Sequence, residues 1–174
     1  MSKKIKNICL GGIGSALFVV LSLCLQVPVF ENYYLCLGYF VMTMFCYSVG
    51  TMCGATVGAL GVVLYCLLIN GLRGMPGWAV GNFVLGIMMG FVFKLIKNKE
   101  NKLLFYIILI PLIIIITAIS ILGVKSIIEC ILYTQPFFVR IAKNIYAFVA
   151  DVFVIIFSIP ICKNLDKHLK KIME

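Results

Sequence analysis

Charge is scarce in this chain, and acidic charge scarcest: 12% of its 174 residues are charged, and six are Asp or Glu. A soluble domain carries about 25% charged residues, so a water-soluble globular fold is excluded. Histidine and tryptophan occur once each, as His168 and Trp78. A lone histidine in a basic tail offers neither a metal cluster nor a catalytic dyad. The pattern G-x-x-x-x-G-K-[ST] is absent, so ATP cannot be held through a P-loop and active transport must borrow its energy. There is no C-x-x-C: Cys9, Cys24, Cys36, Cys46, Cys53, Cys66, Cys130 and Cys162 are scattered, as expected of packing residues rather than of disulfides or metal ligands. The segment GIGSA, Gly12–Ala16, has no His or Lys partner that would make Ser15 a membrane-protease nucleophile. The chain is therefore expected not to be an enzyme, and no motif calls for a cofactor.

What fills the sequence instead is apolar: 63% of the residues are hydrophobic. A membrane span needs about 20 predominantly apolar residues. The runs read as Ile8–Leu25, Leu35–Val49, Thr51–Ile69, Trp78–Ile96, Leu103–Leu122 and Val139–Cys162, two of them short. The expected fold is an all-α integral membrane protein, one six-helix transmembrane domain over residues 1–174. The first run follows Lys3, Lys4 and Lys6 as in a signal peptide, but Leu23 is too bulky for a cleavage site, and we read an uncleaved first helix.

The net charge of +9 is not a nucleic-acid signal, because its placement is topological. Lys3, Lys4 and Lys6 precede the first run, Lys94, Lys97, Lys99 and Lys102 separate the fourth from the fifth, and Lys163, Lys167, Lys170 and Lys171 follow the sixth. With six crossings these clusters share one side, the cytoplasmic one by the positive-inside rule, together with both termini. The loops Gln26–Tyr34, Asn70–Gly77 and Gly123–Phe138 then face outward.

Glycine is uneven: fourteen of the fifteen lie before residue 91. The first four helices are thus built for close approach and the last two are bulky, so the halves are not repeats. Gly50, Gly54 and Gly58, Gly77 with Gly81, and Gly86 with Gly90 recur every four residues, making flat stripes for helix packing. On the first helix Gly12-x-x-x-Ala16 makes a smooth face near the cytoplasmic end, suited to an internal helix or to another subunit.

Polar chemistry concentrates in two places. In PFFVRIAKNIYAFVADVFV, Pro136–Val154, taking Arg140 as zero and about 100° per residue, Lys143 falls at about −60°, Ala147 at about −20°, Asp151 at about +20° and Asn144 at about +40°. One face therefore carries every polar group. Charges inside a membrane cost at least ~2.5 kcal/mol each near its centre, so they face a cavity or a partner. The alternative is that Arg140 and Lys143 snorkel to the interface and Asp151 pairs within the bundle. In GLRGMPGWAVGN, Gly71–Asn82, the residues Arg73, Trp78 and Asn82 exceed what a turn requires, and on the outer face they would converge with Arg140, Lys143 and Asn144. Trp78 offers a stacking surface or an interfacial anchor, and Asn82 a ligand contact or a helix–helix hydrogen bond. Glu31, Tyr33 and Tyr34 in the first outer loop form a lid or an aromatic turn. Three cationic groups, Arg73, Arg140 and Lys143, favour a carboxylate, a phosphate or an electron-rich heterocycle, and the aromatics favour a planar ring.

Taken together, the first-helix segment GGIGSALFVVLS, the outer loop after it, the glycine-rich third and fourth spans and a polar sixth helix following Pro136 resemble the substrate-binding membrane subunit, the S component, of an energy-coupling factor (ECF) vitamin transporter. The resemblance covers most of the chain. It implies capture of a small water-soluble vitamin or precursor from outside, at the cell membrane of a bacterium, and association with an ECF scaffold transmembrane protein and two ATPase subunits. It also implies docking of the first helix on the scaffold. There Gly12 stands where the family usually shows the first Ala of Ala-x-x-x-Ala, with Ala16 retained. The rival from another class is a non-transport membrane assembly subunit whose polar sixth-helix face pairs with a partner helix.

Overall fold

The structure, a computed structural model, describes residues 3–24, 27–30, 33–69, 71–72, 74–96 and 102–173. Its helices are α1 (Lys3–Cys24), α2 (Gly38–Ser48), α3 (Thr51–Leu68), α4 (Met75–Ile96), α5 (Lys102–Thr117), α6 (Ser126–Tyr133) and α7 (Phe137–Met173), with a π-helical segment, Ala118–Lys125, joining α5 to α6. Among the described residues five helical stretches are long and apolar enough to cross a membrane: Ile5–Cys24, Thr51–Leu68, Met75–Ile96, Phe105–Tyr133 and Phe137–Asp166. The molecule is an integral membrane protein.

Three features depart from the sequence reading. The run Leu35–Val49 forms only the 11-residue α2, about 16 Å at 1.5 Å per residue, roughly half the hydrocarbon thickness. It ends at Gly50, whose φ of 136° is open to glycine and strained for other residues. The amides of Val49 and Gly50 both return to the Phe45 carbonyl before α3 begins. After α1, where the sequence suggested a lid or an aromatic turn, β1 (Val27–Phe30) pairs antiparallel with β2 (Tyr33–Leu35).

The segment assigned to the loop Gly123–Phe138 is helical as far as Tyr133, and the break is confined to Thr134–Pro136. Thr134 takes the left-handed conformation (φ 50°) that ends α6. Pro136, which has no N–H to satisfy, starts α7 by accepting the amides of Val139 and Arg140.

The core lies where α2, α3 and α4 meet α1 and α7, with Phe18, Tyr39, Met42, Leu85, Met89 and Ile155 fully buried. Helix α5 is not wholly lipid-facing. Phe105, Leu109, Ile113 and Ile116 form a buried stripe while Ile107, Ile114 and Ile115 are exposed, as expected of a helix packed on one side only.

Candidate functional site

The glycines of GMPGWAVG act through what they leave out. A Cβ on Gly77 would stand 2.8 Å from Glu129 Cγ, and one on Gly81 would stand 3.3 Å from both Lys125 Cβ and the Ser120 carbonyl. These two positions, one turn apart, form the flat face of α4 on which the π segment and α6 rest. The wide turn of a π helix, bonded five residues apart, recurs at functional sites. Here Ser126 Oγ helps it by donating to the Ile121 carbonyl, five residues back. The result is that Lys125 and Glu129, both buried, point past α4 toward α7.

Between these helices lies a cavity of about 520 Å³, inside the roughly 300–1,000 Å³ range of small-molecule sites. One wall is aromatic. Trp78 meets Tyr65 edge to face at 5.7 Å between centroids, and the Lys125 ammonium lies 6.0 Å from its ring centroid, within cation–π reach. Gly71 and Gly74 close the rim beside it. The facing wall is polar. Asn144 Nδ2 donates to Ser126 Oγ at 2.9 Å and to Glu129 Oε2 at 3.2 Å, using both of its protons. Arg140 Nη1 is 3.7 Å from Glu129 Oε2, an ion pair too long for a hydrogen bond. The Arg140 guanidinium also lies 5.2 Å from the Tyr133 ring centroid, and its buried Nε has no hydrogen-bond partner. Asp151, 5% exposed, forms part of the same wall. Such a cavity can stack a planar ring and offer donors and acceptors on the other side. Among the described residues no group of three metal-ligating side chains is present.

The residues picked out by sequence fall into three groups. Trp78, Arg140, Asn144 and Asp151 line the cavity. Asn82 is fully buried behind that wall, where its Oδ1 accepts from the Tyr39 hydroxyl at 2.8 Å. Lys143 is exposed and outside the cavity, because it lies on the opposite flank of the α7 stripe from Asn144, about 100° away. Arg73 lies outside the described residues, as does Glu31, and Tyr34 is placed only by its backbone, opposite Pro28 in the hairpin. Sequence reading missed Lys125, Glu129, Ser126, Tyr65 and Tyr39. A charge pair at i and i+4 within VKSIIEC was the available signal, but a supposed loop gave it no reason to be buried.

At the other end of the bundle, Gly12 and Ala16 are exposed on α1. Nothing lies within 4 Å of a Cβ built on Gly12, so this small-residue face is not used for packing inside the subunit.

A sequence profile of the family described as ECF-type riboflavin transporter, S component, matches residues 2–167, nearly the whole chain. The chain belongs to this ECF S component family. An S component is the substrate-binding membrane subunit of an ECF transporter and not an enzyme. A comparison with curated protein sequences gives no significant match. The interior of this S component carries four ionisable side chains, Lys125, Glu129, Arg140 and Asp151, around one cavity. Groups of that kind inside a membrane protein mark a substrate pathway more often than a structural need.

Proposed function

We propose that the S component captures riboflavin, or a flavin of the same shape, in the cavity between α4, α6 and α7, from the outer face of a bacterial plasma membrane. The observation that carries this reading is the pairing of Trp78 on one wall with Glu129, Arg140, Asn144 and Asp151 on the other. An isoalloxazine ring would lie on the indole, and ribityl hydroxyls would exchange hydrogen bonds with the polar wall. Arg140, with an unused Nε and a loose ion pair, has donors to give. Two cations and two carboxylates line the cavity, so a neutral hydrogen-bonding ligand suits it better than the anion suggested by counting Arg73 and Lys143. In this reading Lys143 contributes little.

The topology that serves this function has six crossings, with α2 and the extended residues before it completing the second. Both termini and Lys94–Lys102 are then cytoplasmic, by the positive-inside rule. The exposed Gly12/Ala16 face of α1 docks on the scaffold subunit of an ECF module that also carries two ATPases. Calorimetric titration of the purified subunit with riboflavin and with its 5′-phosphate tests the ligand reading. Riboflavin is expected to bind about tenfold or more tightly than the phosphate ester. Equal or tighter binding of the ester would mean that the cavity is cationic in effect.

A further inference from the structure

Behind the aromatic wall, one buried hydroxyl on α2 joins two side chains that lie one turn apart on α4. Tyr39, fully buried on α2, accepts the Trp78 indole N–H at 2.9 Å and lies 2.8 Å from Asn82 Oδ1. Trp78 lines the cavity; Tyr39 and Asn82 do not. A phenol has one proton and two lone pairs, so the one hydroxyl accepts from Trp78 and donates to Asn82 at the same time.

We propose that Tyr39 is a positioning residue of the ligand site: its hydroxyl accepts the Trp78 indole N–H, donates to Asn82, and so fixes the stacking ring of the cavity against α2. Preorganisation of this kind raises affinity by removing the cost of ordering each group at binding. The inference rests on the flavin reading for its ligand, but the bond at its centre can be read without one.

Trp78 is the only tryptophan, so the ultraviolet resonance Raman band that reports indole N–H hydrogen bonding observes this one contact. In the ligand-free parent the band is expected at its bonded position, and in Tyr39→Phe at its free position. A free position in the parent overturns the proposal with no variant needed. Riboflavin affinity is expected to fall about tenfold or more in Tyr39→Phe, and a change under twofold overturns the positioning role. In a double-mutant cycle, Tyr39→Phe combined with Trp78→Ala should bind about as weakly as Trp78→Ala alone, because contacting partners are non-additive. Losses that multiply independently overturn the link from Tyr39 to Trp78. If the parent binds no riboflavin, the flavin reading fails, and the Raman comparison still decides the Tyr39 bond.

Discussion

Replacing Trp78 by alanine removes the larger ring of the aromatic wall, and leaves Tyr65 and the polar wall in place. An indole side chain covers roughly 150–250 Å², and one face turned to a ligand is about half of that. At ~25 cal/mol per Å², roughly 100 Å² lost from contact is worth about 2.5 kcal/mol, and an aromatic pair adds about 0.5–1.5 kcal/mol beyond its area. The sum, about 3–4 kcal/mol, corresponds to a loss of roughly 100- to 1,000-fold in affinity. Trp78→Phe keeps a ring but forfeits the N–H bond to Tyr39, and should lose about tenfold. Both variants can be titrated by quenching of flavin emission. In the parent, the single tryptophan also reports binding through energy transfer to the flavin. A loss of less than about fivefold in Trp78→Ala, on protein shown to be folded, would refute the stacking argument.

Three further outcomes are expected. Arg140→Ala should weaken riboflavin binding by about 1–3 kcal/mol, the scale of a buried polar group left unpaired, whereas Lys143→Ala, exposed and outside the cavity, should bind within twofold of the parent; equal losses in titrations of the two would contradict the cavity boundary. Gly12→Leu and Ala16→Leu should leave binding to the isolated subunit intact, since both positions are exposed, and should abolish uptake in cells that supply the ECF module, because close helix packing depends on small residues; loss of binding and folding would assign them to the interior instead. A cysteine placed at Asn98 in a background without native cysteines should react only with a membrane-permeant reagent, and ready labelling from outside would sink the six-crossing topology.

The legible parts of this molecule are those that a bilayer imposes on composition. Spans such as Thr51–Leu68 and Met75–Ile96 stand out because a chain in hydrocarbon must be apolar along its length. The α7 stripe stands out because polar residues there must share a face. That pattern groups Arg140, Asn144 and Asp151, which line the cavity, with Lys143, which is exposed outside it, because the stripe is too wide to say which flank meets the cavity. Lys125, Ser126 and Glu129 were illegible for the opposite reason. They read as loop residues, yet Ser126 and Glu129 are buried against Asn144 and Arg140, 11–18 positions later, and Lys125 beside the Trp78 ring. Tyr39 is an aromatic in an apolar run like many others, and its role comes from partners 39 and 43 residues away. Contacts at such separation are set by packing, and no local pattern encodes them.

The central claim is that this S component holds a flavin in the cavity faced by Trp78 and Arg140. Native mass spectrometry of the subunit, purified gently from flavin-replete cells, tests it most directly. The account predicts a one-to-one adduct of riboflavin mass that gives a flavin absorption spectrum, is released on unfolding, and is missing from Trp78→Ala. Folded protein that carries a different ligand, or that stays empty after equilibration with riboflavin, would contradict it.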